Sequence, residues 1–117
     1  MNDFPGFLKN PLNRIASSSQ YTEDIEGYVF DGIDGSQAAF WRCNTDRKSG
    51  EHTHEYDEYL LVVQGQYTLI IEDKKIPLVS GQEYHIAKGV AHSGECLAGT
   101  RTIHVFGGKR AKRENEL

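Results

Sequence analysis

This chain is short of cysteine, short of proline and without a long hydrophobic run, and each shortage excludes a class of protein. Two cysteines in 117 residues, Cys43 and Cys96, are too few for a disulfide-built scaffold. They fit a reducing compartment, with both thiols expected free. No apolar stretch approaches the ~20 residues that span a bilayer, so no membrane partner is expected. The opening segment MNDFPGFLKNPLNR lacks the charged start, apolar stretch and small-residue cleavage site of a secretory signal, which makes the cytoplasm the expected location. Positive charge is not in excess either. With 13 Lys and Arg against 17 Asp and Glu, the net charge of −4 offers no electrostatic footprint for nucleic acid. Three prolines against twelve glycines imply many tight turns, and the length suits one compact domain.

What is present reads as strands and turns. Residues 1–24 carry two prolines, Ser17-Ser18-Ser19 and no sustained period. They are expected to form an arm lying over the domain or a partner subunit, with a frayed terminus as the alternative. From Ile25 the spacing predicts strands over 26–30, 37–43, 51–64, 67–72, 75–79, 83–86, 92–97 and 100–106. The segments between them are rich in Gly, Asp, Asn and Ser. Short strands at this spacing, without a helical period, point to an all-β sandwich or barrel over residues 25–108. The tail 109–117, KRAKRENEL, is expected to be charged and loose.

One strand bears on assembly. In residues 58–63 (EYLLVV), Leu60 and Val62 share one face while Tyr59, Leu61 and Val63 share the other. Both faces are apolar, so something must cover the second: the arm, another sheet layer or a second copy. A homodimer is the leading expectation.

The chemistry concentrates in residues 50–65, GEHTHEYDEYLLVVQG. On an extended strand His52 and His54 project from one face, and Glu58 keeps that parity if no bulge intervenes. Two imidazoles and a carboxylate pointing into an apolar interior are costly unless something satisfies them. A divalent transition metal does so, and this donor set suits iron, manganese, nickel, copper or zinc.

These residues resemble the first signature of the cupin superfamily: His-x-His, three or four residues, Glu, six residues, Gly. Here it runs His52, His54, Glu58, Gly65. The second signature (Gly, five residues, Pro-x-Gly, two residues, His, three residues, Asn) is matched by Gly81, Gly89 and His92, with Ala87 in place of proline and Cys96 in place of asparagine. Asp46 stands where a glycine commonly lies six residues before the first histidine. The resemblance implies a cupin-type jelly-roll β-barrel of six to eight strands, with His92 as a fourth metal ligand. It also implies a metal-dependent enzyme acting on a small molecule, with dioxygenase, isomerase, decarboxylase and lyase chemistry all open. A non-catalytic module binding metal or a small ligand is the other reading.

Four further residues are pocket candidates. Trp41 and Cys43 share parity opposite Arg42, and Cys96 points inward if its strand is regular. A thiol near the metal would be a fifth ligand or a redox-sensitive group; an inward cysteine is more often a small hydrophobe. His104 could line the pocket as a proton shuttle or be a surface or core histidine without a catalytic role. Glu51, Glu55 and Asp57 have the opposite parity to the ligands and read as an acidic rim, while His85 is expected to face away.

Overall fold

The computed structural model describes residues 2–116. Nine strands build two antiparallel sheets: β1 (Ile25–Asp31), β2 (Gln37–Cys43), β3 (Arg47–Lys48), β4 (Glu58–Gln64), β5 (Gln66–Ile71), β6 (Lys74–Val79), β7 (Glu83–Ile86), β8 (Ser93–Cys96) and β9 (Arg101–Phe106). One sheet has the order β1-β2-β9-β4-β7 and the other β3-β8-β5-β6. This is the all-β jelly roll, with one strand more than the expected six to eight. The addition is two-residue β3, which pairs with β8 inside the polar stretch 44–50. Among the described residues no helix is long and apolar enough to cross a membrane.

Strict alternation sets the inner surface. On β2, Gln37, Ala39, Trp41 and Cys43 are buried while the residues between them are half-exposed. On β4 the buried positions are Glu58, Leu60 and Val62. On β9, Thr102, His104 and Phe106 face inward, and Ile103 and Val105 face out. Leu60, Val62 and Leu78 form one core cluster bridging the sheets. Ile15, Val29, Ala39, Trp41, Phe106 and Ala111 form another. Gly65 turns β4 into β5 at φ 84°, and a side chain there would run into Thr100. Gly94 on β8 leaves room for the ring of Tyr67, which any Cβ would strike.

Both chain ends are built into the domain. Ile15 and Ala16 are buried, with Ile15 N–H bonded to the Gly27 carbonyl and Ala16 N–H to that of Lys112. The arm contains three short 3-10 turns, Gly6–Lys9, Pro11–Asn13 and Ser17–Ser19. Phe4 meets Phe40 edge-on at 5.6 Å, so the arm covers part of the outer face of the larger sheet. The rest of that face, Tyr59, Leu61, Val63 and Ile103, is half-buried, and Val105 is exposed.

The tail was expected to be loose and is not. Buried Gln37 clasps it: Oε1 accepts the N–H groups of Arg110 (2.7 Å) and Ala111 (2.8 Å), and Nε2 donates to the Ala111 carbonyl (3.1 Å). Arg113 then donates to Asp31, Asn13, Glu116 and the Val29 carbonyl. Every polar atom of the Gln37 amide is thereby used in the core.

The cysteines also depart from expectation. Cys43 at the end of β2 and Cys96 at the end of β8 are joined as a disulfide linking the two sheets, and neither thiol is free. Both point inward, as their parity implied, and the strands carrying them meet at the turn before Thr100. The expectation of a reducing compartment loses the support it drew from two unpaired thiols.

Two outcomes follow. Gln37→Leu should cost roughly 2–4 kcal/mol in denaturant unfolding, because each orphaned buried polar group costs about 1–3 kcal/mol. It should also expose Arg110 and Arg113 to trypsin, whereas unchanged stability and protection would mean that the tail is held elsewhere. Protein unfolded without reductant should show no reactive thiol. A Cys43→Ala/Cys96→Ala variant should lose about 2–4 kcal/mol, as for a disulfide closing a long loop.

Candidate metal centre

The two histidine segments meet through the backbone. His52 and His92 form an isolated antiparallel bridge, with His52 N–H on the His92 carbonyl (2.9 Å) and His92 N–H on the His52 carbonyl (3.0 Å). The expected single strand over 51–64 does not form: the chain bends at residues 55–56, and β4 begins only at Glu58. Glu58 therefore reaches His54 by a bend, not by uninterrupted parity. The turn before His92 is tied to this bend, since Gly89 N–H donates to the His54 carbonyl (2.8 Å). Lys88 N–H donates to Asp57 Oδ1 (2.9 Å), and exposed His85 lies 3.2 Å from Oδ2 of the same carboxylate. Asp57, read as a rim charge, anchors this corner. Glu51 and Glu55 are exposed.

Ring orientation is set by carbonyl acceptors. His52 Nδ1–H donates to the Gly50 carbonyl (2.8 Å) and His92 Nδ1–H to the Val90 carbonyl (2.9 Å). A carbonyl only accepts, so the neutral tautomers carry the proton on Nδ1 and present the Nε2 lone pair inward. Donor atoms of His52, His54 and His92 all lie within 4.8 Å of one another, so these three imidazoles could hold a metal ion.

Glu58 joins them. Its Oε1 lies 3.3 Å from His54 Nε2 and 3.3 Å from His92 Nε2, yet none of these three buried atoms has a hydrogen-bond partner. The other oxygen, Oε2, accepts from His104 Nδ1 at 2.8 Å, and His104 Nε2 lies 3.0 Å from the Thr102 hydroxyl. Register explains the contact: Leu60 on β4 pairs with His104 on β9, which places Glu58 diagonally across from His104 on one face. Burial opposes ionisation of Glu58, but the bond from His104 and the contacts with His54 and His92 outweigh it and hold the carboxyl far below its usual range. Burial lowers His52 to about 4, keeping it neutral at physiological pH. Burial also works against a charged His92, but contact with Glu58 and the bond to Val90 leave its pKa raised.

His52, Glu58 and His92 line a cavity of about 70 Å³ that also takes in Trp41, Cys43, Cys96 and His104. The bonded cysteines are wall, so neither offers a thiolate. Among the contributors not legible beforehand are Gln20 and Tyr21 of the arm, Tyr67 and Phe106 of the strands, and Arg110 of the tail. Trp41 Nε1–H donates to Gln20 Oε1 (3.0 Å), and Tyr21 stacks on His52 with ring centroids 4.0 Å apart. Half-buried Tyr67 turns its ring edge toward His104 at 5.7 Å; burial and the charge on Glu58 raise the pKa of its phenol, which stays protonated.

The donor set fits a metal. Three polar atoms that are buried, close and unpartnered represent a desolvation cost that no group among the described residues offsets.

Comparison with known proteins agrees with this architecture. A family model described as "Cupin domain" matches residues 40–110. No curated protein sequence matches the chain. Among solved structures, the polyketide cyclase RemF from Streptomyces resistomycificus superposes with a TM-score of 0.69 at 15% identity, covering 88% of this chain and 80% of that one. KdgF from Halomonas sp. gives 0.65 at 18% identity, covering 88% and 96%. A cupin superfamily protein from Desulfitobacterium hafniense gives 0.66 at 16% identity, covering 71% and 76%. At such identities the likeness is one of fold. The family model, however, takes in more than half of the chain and both histidine segments, and the chain belongs to the cupin family.

Proposed function

We propose that this cupin binds one divalent transition metal through His52, His54, Glu58 and His92 and acts as a metal-dependent enzyme on a small molecule. The observation that carries the reading is the convergence of His54 Nε2, Glu58 Oε1 and His92 Nε2, buried and without hydrogen bonds. Three nitrogens and one carboxylate oxygen suit iron, manganese, nickel, copper or zinc, and a metal preferring five or six ligands keeps positions open for an oxygen-bearing substrate. When bound, the ion supplies Lewis acidity toward such a substrate. The residues around it orient the centre: Gly50 and Val90 hold two imidazoles through their carbonyls, and His104 holds the Glu58 carboxylate. RemF, a fold relative, is a polyketide cyclase, which is consistent with small-molecule chemistry in such a cavity.

One observation favours the second reading, a non-catalytic metal- or ligand-binding module. Both ring nitrogens of His104 are engaged, by Glu58 and Thr102, so it has no lone pair free to shuttle protons. His104 is a positioning residue, and proton movement would fall to another group.

Purified protein should carry close to one transition metal per chain, measured by plasma mass spectrometry. Alanine at His52, His54 or His92 should lower metal affinity at least ~10-fold, and Glu58→Gln less, because an amide oxygen still coordinates. His104→Leu should cost about 10–100-fold, as loss of an outer-shell partner does. Removing the metal should lower the melting temperature. Full metal content in a His52→Ala/His54→Ala variant would refute the site.

The outer face formed by Tyr59, Leu61, Val63, Ile103 and Val105 supports a homodimer, since the arm covers only the Phe40 end of it. Light scattering at micromolar concentration should report a dimer that Val105→Glu converts to monomer. A wild-type monomer would leave this face uncovered in solution and defeat the proposal.

A further inference from the structure

Arg110 is placed unlike any other cation of the tail. Lys109 pairs with Glu116, Arg113 pairs with both Asp31 and Glu116, and Lys112 is exposed to water. Arg110 has no carboxylate within 4 Å among the described residues, although its guanidinium is half-buried in the wall of the metal cavity. Among the described residues its one side-chain hydrogen bond runs from Nη1 to the Ser19 carbonyl at 2.6 Å. Aromatic faces supply the rest of its surroundings: its Cζ lies 4.4 Å from the centroid of Tyr21, 5.7 Å from Trp41 and 5.9 Å from Phe106. A guanidinium carries five N–H donors, and aromatic faces leave most of them without an acceptor.

The backbone beneath it is fixed. Gln37 clamps the N–H groups of Arg110 and Ala111, so the side chain is delivered to the cavity by a buried anchor and is not a mobile tail residue. Tyr21 lies under the guanidinium and also stacks on His52, so a single ring joins the cation to the metal cluster. Burial disfavours the charge on Arg110, and the Tyr21 phenol and then the Glu58 carboxylate oppose that only in part. Glu58 already serves the imidazoles.

We propose that Arg110 is the anion-binding residue of the cavity, and that its ligand is a small organic carboxylate. The carboxylate takes the free N–H donors of the guanidinium in a two-point pair, and a second oxygen on the same molecule lies toward the histidine cluster. Planar carboxylate matches the guanidinium fork, and Trp41 and Phe106 provide apolar walls for a short carbon skeleton. The size of the cavity, about 70 Å³, favours a small acid over a sugar phosphate or nucleotide. This assignment rests on the metal reading only for where the second oxygen lies; the pairing with Arg110 stands without it.

The test uses pyruvate as the probe, with methyl pyruvate as a neutral control and inorganic phosphate as a competing anion. Binding is followed by calorimetry on full-length protein, metal-loaded and after chelator treatment. Pyruvate should bind the wild type at least ~10-fold more tightly than methyl pyruvate. Arg110→Gln should abolish that preference while metal content stays at the wild-type level, and Arg110→Lys should restore part of it. A preference for pyruvate that survives chelation and vanishes in Arg110→Gln supports the Arg110 assignment even if the metal reading fails. Three results would overturn it: equal binding of pyruvate and its ester by the wild type, undiminished pyruvate binding by a folded Arg110→Gln, or Arg110-dependent binding of phosphate alone. The wild-type comparison of acid and ester decides the matter even if Arg110→Gln does not fold.

Discussion

The interior of this barrel is organised around one buried carboxylate. Glu58 has 5% of its side chain exposed and is the first residue of a central strand, so it cannot turn out to water without breaking β4 from its neighbours. An ionised carboxylate in that position needs donors on both oxygens. His104 serves Oε2, and among the described residues Oε1 meets only His54 Nε2 and His92 Nε2, each at 3.3 Å. The surrounding architecture follows from that demand. The bridge between His52 and His92, the Gly89 contact with His54 and the Asp57 anchor all hold loops whose purpose is to keep imidazoles against this oxygen. A cation at the shared point relieves every one of these unmet groups at once.

Closure of the cavity is a separate matter, carried by the two chain ends. The arm brings Gln20 and Tyr21 to its lip and the tail brings Arg110, and the two ends are bonded to each other between Ala16 and Lys112. Buried Gln37 is the fixed point for this arrangement, because its amide holds the tail by three hydrogen bonds on the inner face of β2. Packing of the ends and composition of the pocket are therefore one problem: loosening the tail withdraws the guanidinium from the cavity wall.

What could be read from the sequence divides along contact range. Strands with clean two-residue alternation, such as β2 and β7, were legible to the residue, because alternation alone reports which side chains are buried. The inward parity of Trp41, Cys43 and Cys96 followed from the same rule, whereas the inward placement of His104 on β9 was not read from it. The stretch from Glu51 to Asp57 was misread as strand because it has no apolar alternation to reveal its bend; the spacing of the cupin signature picked out four side chains that the fold brings together across that bend. KRAKRENEL looked like a solvated tail because nothing local distinguishes Arg110 and Ala111 from their charged neighbours. Their burial depends on Gln37, more than seventy positions earlier. The Cys43–Cys96 pair, 53 residues apart, likewise becomes visible only once the topology brings β2 and β8 together.

Charge inside the cavity links these two halves of the structure. With a divalent ion at the four donor atoms, the cavity would be lined by that ion, the Arg110 guanidinium, Arg47 in its pair with Asp24 and the Glu58 carboxylate, so it would be net positive. In a space walled by Trp41, Phe106 and a disulfide, water screens that excess poorly, and the two cations repel each other at reduced dielectric. An anionic ligand lying between them lowers both energies together, which a neutral molecule cannot do. The same arithmetic accounts for the absence, among the described residues, of a carboxylate paired with Arg110. A fixed internal partner would neutralise the guanidinium permanently and remove the attraction that distinguishes an anionic ligand from water. Leaving Arg110 unpaired costs stability in the empty protein, and the cost is recovered each time the ligand binds.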